Sequence, residues 1–313
     1  MIDAEKFKSN IKKFWDIADH GPIKWFLGFE IKRNRESRTI SINQQAYIES
    51  ITKKFRLTGA RKVSTPIEVN AQFSINQCPS TINQVKCMKG VSYSKAIGSV
   101  LWATVVSRLD TAYAVGVLSQ FIQNPGPAHW EGVKRVVSYL SSTKGLWLTF
   151  GGKKDVLLEG YSNSDWASQK HCHLISGFSF HYGQSTISWS LKKQAVIVLS
   201  STKAEYVAQT HAAKKAMWLK TFVNEVQGGQ EGPLTIMVDN QGAIALAKDN
   251  KFHLCTKHIN LCYHFIREAV EDKRIKMEYI PTGENVADIF TKPLPKPKFM
   301  EFIAKLGLEI MKE

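Results

Sequence analysis

GYSNSDW, residues 160–166, is the stretch on which the fold of this chain turns. With the preceding VLLE (156–159) it alternates as a strand does, which puts Tyr161, Asn163 and Asp165 on one face. Two more strand-like runs follow, SGFSFHYG (176–183) and TISWSLKK (186–193). A long helix is expected from Ser201 to about Val226, then a buried-type strand LTIMVD (234–239) and a short helix QGAIALAK (241–248). A helix NLCYHFIREAVEDK (260–273), a strand IKMEYIP (275–281) and a last helix beginning near Asn285 complete the pattern. Three consecutive strands, then strands alternating with helices, predict an α/β fold with a mixed sheet and helices packed on its faces.

On that frame four acid-type positions come to strand ends and helix starts: Asn163, Glu205, Asp239 and Asp288. Hydrolysis of a phosphodiester by two divalent ions needs several carboxylates converging on the metal pair. Magnesium takes oxygen ligands of this kind. Glu205 falls in the first turns of the long helix, on a face shared with Ala208 and Ala212. Asp239 ends a buried strand, where it can also cap the next helix. Asp288 sits in a first helical turn, where interaction with the helix dipole is its alternative role. Each acid alone reads as structural, and only the set points to a metal site, with Asn163 the member that has lost its charge.

Upstream, residues 1–150 show a helix over Glu5–Ile17, a strand through WFLGFEI (25–31), a second strand in RTISINQ (38–44) and a helix AYIESITKKF (46–55). Residues 64–92 are polar and irregular. The chain is then helical from Tyr93 to Ser142, interrupted at Pro125 and Pro127. The run TFGGKKD (149–155) reads as a turn or linker between two segments. The net charge of +15 is uneven, with 21 Lys and Arg against 10 Asp and Glu in residues 1–150 and no acid between Glu68 and Asp110. Such a half suits a polyanion, most simply nucleic acid held through its phosphates. No apolar run reaches the length of a membrane span.

The five cysteines, Cys78, Cys87, Cys172, Cys255 and Cys262, are odd in number and scattered, which predicts reduced thiols and an intracellular protein. Cys255, His258, Cys262 and His264 read C-x2-H-x3-C-x-H, but they fall within one helical pattern and thiols beside structural histidines are expected there rather than zinc. Trp166, Trp189 and Trp218 can stack on bases, and at strand and helix positions they are expected to fill the core.

A longer series of motifs carries a resemblance. HGPIKWFLGFEIKR (20–33), YSKAIGSVLW (93–102), SRLDTAYAVGVLSQF (107–121), HWEGVKRVVSYL (129–140), ISGFSF (175–180), ISWSLKKQ (187–194), LSSTKAEYVA (199–208), DNQGAIALAK (239–248), TKHINLCYHFIREAV (256–270) and ENVADIFTKPLP (284–295) occur in this order. The series resembles the Pol polyprotein of copia-type LTR retrotransposons, at its ribonuclease H domain and the reverse transcriptase end before it. The resemblance implies a truncated reverse transcriptase over 1–150, comprising the end of the palm, the thumb and the connection. It implies that this first part is mostly helical, that a ribonuclease H-like α/β domain, a five-stranded mixed sheet with flanking helices, spans 154–296, and that a C-terminal helical tail spans 297–313. The expected substrate is the RNA strand of an RNA/DNA hybrid, cut with two magnesium ions on Asn163, Glu205, Asp239 and Asp288. The expected partner besides nucleic acid is the rest of the reverse transcriptase in a parent polyprotein, whose setting is a cytoplasmic particle or the nucleus.

The chain departs from the family in two places. It contains no Asp-Asp pair, so the Tyr-x-Asp-Asp hairpin of the polymerase is not among its residues. Where the family has its first nuclease aspartate, this chain has Asn163, a neutral amide and a poorer magnesium ligand. Asp165, on the same strand face, is the candidate substitute, and His258 is a candidate for product release or a structural histidine. Lys203 stands where relatives carry a glutamate. Three readings stay open: a weakened ribonuclease H, a non-catalytic hybrid-binding remnant, and an expressed relic.

Overall fold

The computed structural model describes residues 4–152, 156–165, 174–194, 201–227, 232–248 and 257–311. The first half begins with α1 (Ala4–Lys12), which ends sooner than its sequence pattern suggests. The WFLGFEI run is two strands, β1 (Trp25–Phe26) and β2 (Phe29–Asn34), joined by a two-residue turn. Leu27 and Gly28 both take positive φ, 47° and 86°, as a tight hairpin between right-twisted strands requires. Apolar alternation runs straight through this turn, which is why it reads as one strand. β3 (Thr39–Asn43) and α2 (Gln45–Lys54) follow. The polar stretch contains a short helix, α3 (Ile82–Met88), capped by Thr81. Then come α4 (Tyr93–Val106), α5 (Ala112–Ser119) and α6 (Pro127–Ser142), the last with Pro127 in its first turn, where a missing N–H costs nothing.

The stretch expected to be a linker is instead partly strand β4 (Leu146–Gly151). It pairs with β3 on one side, Ile42 opposite Leu148. Its other side pairs with the end of the chain. There α10 (Lys296–Lys305) turns back through Gly307 into β10 (Leu308–Ile310), with Glu309 opposite Trp147. The result is an antiparallel sheet in the order β1-β2-β3-β4-β10.

Between β4 and α10 lies the second layer system. β5 (Leu158–Asp165), β6 (Ile175–Tyr182) and β7 (Ser185–Lys193) form an antiparallel meander. α7 (Ser201–Gln227) leads to β8 (Leu234–Val238), α8 (Gln241–Lys248), α9 (Lys257–Glu271) and β9 (Ile275–Tyr279). The sheet order is β7-β6-β5-β8-β9, with β8 parallel to both β5 and β9. This is the five-stranded mixed sheet with flanking helices that the ribonuclease H resemblance implies. Ala204, Ala208, Ala212 and Ala216, spaced one turn apart and all buried, let α7 lie close on the sheet. Beneath it Leu234, Ile236 and Val238 are fully enclosed, each contributing about 1.5–3 kcal/mol of burial.

The two halves share a core. Leu109, Tyr139 and Leu148 pack with Ile289, Phe290, Phe302 and Leu308 in one apolar cluster, and Ile175 of β6 enters the helical cluster around Val100 and Leu118. Trp189 is partly buried against the shared cluster, as expected for a core residue. Trp218 departs from expectation: it is exposed, stacks on Phe222 and carries the Lys215 ammonium 4.0 Å from its ring centroid. Trp166, Cys172 and Cys255 lie outside the described residues, as do the side chains of His258 and Cys262. Cys78 and Cys87 are free thiols. Among the described residues no helix is long and apolar enough to cross a membrane.

Candidate active site

The parallel pairing of β5 with β8 sets Ser162 opposite Val238, so Asn163 and Asp239 are the next residues along two neighbouring strands. Asn163 is 4% exposed. Across β6 its partner is Gly177, and there the absence of a side chain matters. A Cβ on Gly177 would stand 2.8 Å from Phe290 Cβ and 2.8 Å from Thr291 Cγ2. The turn of 3-10 helix Val286–Phe290 therefore lies directly on the sheet and delivers Asp288 to the end of β5. Asn285 anchors that turn. Its side-chain oxygen accepts from the Ala287 N–H, and its amide donates to the Ser162 carbonyl at 3.0 Å.

Glu205 arrives from α7, whose first turn is tied to the sheet by a buried glutamine. Gln194 Nε2 donates to Ser176 Oγ at 2.6 Å and to the Ala204 carbonyl at 3.0 Å. Asp239 does not cap α8. That role falls to Asn240, whose Oδ1 accepts from Ala243 N–H at 2.9 Å. The sequence-predicted positions Asn163, Glu205, Asp239 and Asp288 thus gather at one end of the sheet, and Asp165 ends β5 beside them.

Charge is crowded here. Glu205 is 6% exposed, and burial holds its carboxyl well above the usual carboxylate range. The neighbouring Asp239 and Asp288 push the same way, while the Ser164 backbone N–H and Lys292 oppose the shift. One of its oxygens, Oε2, is buried with no hydrogen-bond partner among the described residues. Burial likewise pushes Asp288 up to about 6, with Lys292 opposing and the charges of Asp239 and Asp165 adding to the rise. These are the marks of a cluster that would take up a cation.

Asn163 and Asp288 spoil half of it. The Asn163 amide donates to Asp288 Oδ1 and to Thr291 Oγ1, the latter at 2.7 Å. The second oxygen of Asp288 holds the Lys292 ammonium at 2.7 Å. Asn163 therefore presents an N–H, not a lone pair, to the carboxyl group of Asp288. Among the described residues no three His, Cys, Asp or Glu side chains form a group able to hold a metal ion. Thr291, Lys292 and Gln194 went unassigned on sequence alone. The signal for Lys292 was its place four residues after Asp288.

Comparison with known proteins bears on the chain as a whole. Residues 1–69 match the family described as reverse transcriptase (RNA-dependent DNA polymerase). The retrovirus-related Pol polyprotein from transposon TNT 1-94 of Nicotiana tabacum is 41% identical over 94% of this chain. That from transposon RE1 of Arabidopsis thaliana is 31% identical over 96%. The chain spans about a fifth of the length of these relatives, 22% and 20%. Among solved structures, LC11-RNase H1, isolated from compost by a metagenomic approach, is 13% identical. It superposes with a TM-score of 0.33, covering 43% of this chain and 91% of that one. The sheet order is that of a ribonuclease H-like α/β domain, and it is joined to reverse transcriptase sequence. The chain belongs to the retrovirus-related Pol polyproteins of copia-type transposons.

Proposed function

We propose that this chain holds RNA/DNA hybrid and that its ribonuclease H-type domain hydrolyses the RNA strand through a metal site weakened at Asn163. The observation that carries the reading is the Asn163 amide donating a hydrogen bond to Asp288 inside a cluster of three further carboxylates, Asp165, Glu205 and Asp239. The residues fit one divalent ion. Glu205 and Asp239 are two acids whose charges act on each other, and Glu205 has an unmatched oxygen. Magnesium is satisfied by one or two carboxylates with water and phosphate completing its shell. They do not fit a second ion, because both oxygens of Asp288 are taken and Asn163 offers a proton. When bound, such an ion polarises a phosphoryl oxygen and acidifies water. The chain's own part is to hold the acids rigid through Gln194, Asn285 and Gly177. Its basic first half engages the phosphate backbone, so the hybrid is gripped by shape and charge with little dependence on base sequence.

Cleavage of a labelled RNA/DNA hybrid in magnesium tests this, with Asn163→Asp beside the chain itself. The given chain is expected to cut about a thousandfold more slowly, the scale of one lost metal ligand. Comparable rates in the two would sink the assignment of Asn163 as the lesion and transfer its role to Asp165. A second reading, hybrid binding without cleavage, is favoured by the charge of residues 1–150. It predicts salt-dependent affinity with no metal requirement, and no cutting even by Asn163→Asp.

A further inference from the structure

Asp288 is matched before any metal arrives. Its side chain is 5% exposed, and Lys292, one turn on and 34% exposed, folds its long side chain back onto Oδ2 instead of extending into water. The other oxygen accepts from Asn163. Thr291, between the two, accepts from the Asn163 amide and donates its hydroxyl to the Asp288 carbonyl at 3.2 Å. Asn163 and Lys292 thus supply a donor to each oxygen of the one carboxylate, and Thr291 ties Asn163 to the Asp288 backbone. Glu205 differs: among the described residues its Oε2 has no partner.

We propose that Lys292 is a built-in cation: its ammonium occupies the place beside Asp288 that a second divalent ion would need, and so it sets the metal requirement of the site. The proposal rests on reading the acids as a ribonuclease H-type metal site. An ion between Glu205 and Asp239 meets Lys292 only as a weak charge at a distance, whereas an ion at Asp288 must first displace the ammonium. The four-carbon stem and partial exposure of Lys292 allow that displacement. In the absence of metal the same ammonium neutralises the buried carboxylate and keeps the Val286–Phe290 turn seated on the sheet. Lys292 is thus a positioning residue, acting through Asp288.

The test is calorimetric titration of manganese and magnesium chloride into three forms of the whole chain: Asn163→Asp, Asn163→Asp with Lys292→Met, and Asn163→Asp with Lys292→Arg. The Met form is expected to strengthen the weaker binding step by about tenfold or more while leaving the stronger step within about threefold. The Arg form, which keeps the charge, leaves both steps as they were. A weaker step unmoved or weakened by Met overturns the proposal. A second measurement guards against a folding defect. Lys292→Met alone should melt lower than the given chain without metal and gain more from added magnesium, because bound ion stabilises the folded state by linkage. Equal metal-free melting and equal gains count against it. Hybrid cleavage is read in parallel. Metal steps that respond as expected with no cutting in any form remove the nuclease reading and keep Lys292 in its role. Cutting restored by Asn163→Asp with metal steps indifferent to Lys292 does the reverse.

Discussion

Two groups of buried charges stand out among the described residues, and they are built on opposite principles. In the first half Arg108 and Asp110 are 1% and 0% exposed in their side chains and make a two-pronged ion pair at 3.1 and 2.7 Å. Tyr139 donates to the same carboxylate, and the Arg108 guanidinium also donates to the Thr143 carbonyl and hydroxyl. Every charged atom there has a partner. In the acid cluster carboxylates face carboxylates, one oxygen of Glu205 has no partner, and the proton affinities of Glu205 and Asp288 are raised. The first arrangement holds two segments together. The second leaves repulsion that protonation or a bound cation relieves. Lys292 relieves part of it, and does so from within the chain.

The contrast is broken most severely from the first side. Asp110→Asn leaves the Arg108 guanidinium buried without its counter-charge and is expected to cost about 3–5 kcal/mol in urea unfolding. A loss under about 1 kcal/mol would mean that water reaches the pair. Next is Gly177→Ala, whose new methyl group meets Phe290 and Thr291 and lifts the Asp288 turn. It should cost about 1–3 kcal/mol and should also weaken any metal binding, which a purely local strain would not do. Glu205→Gln runs the other way: removing a crowded charge should stabilise the chain at pH 7 by about 0.5–2 kcal/mol.

That gain carries a pH signature. Glu205 and Asp288 have folded-state affinities above their unfolded ones, so between about pH 4 and 6 the folded chain holds more protons than the unfolded chain. Their contribution to stability is therefore highest below the unfolded values and is lost as pH rises through about 6 for Asp288. The advantage of Glu205→Gln should accordingly shrink as unfolding is repeated at lower pH and vanish near pH 4. An advantage equal at both pH values would show that repulsion is not its source. The smallest effect belongs to neither group: Trp218→Ala, on the exposed Lys215–Trp218–Phe222 stack, should move stability by no more than about 0.5 kcal/mol.

The residues that decide the nuclease-type half were legible because strand alternation, a long amphipathic helix and capping signals all pointed one way. Strands β5 to β9 and helix α7 stand within a residue or two of where pattern alone places them. The first half was harder. In β4 the Gly151-Gly152 pair and the lysines after it mask a strand whose partners lie far away in sequence. β10 is three residues long, too short for alternation to register. At the site, the missing charge of Asn163 was visible in the sequence. That its amide would turn donor toward Asp288, and that Lys292 would close the other oxygen, depends on side-chain direction, which spacing does not report.

The pairing of Trp147 with Glu309 has a consequence in time. β4 emerges from the ribosome long before β10, and the whole nuclease-type sheet is made in between. At ~5–20 residues per second the free edge of β4 waits on the order of ten seconds or more for its partner. Through that interval it offers unpaired N–H and C=O groups to any other strand, a template for mispairing. The last short strand acts as a latch on synthesis: until it closes, the first sheet is unfinished, however well the nuclease-type half has folded.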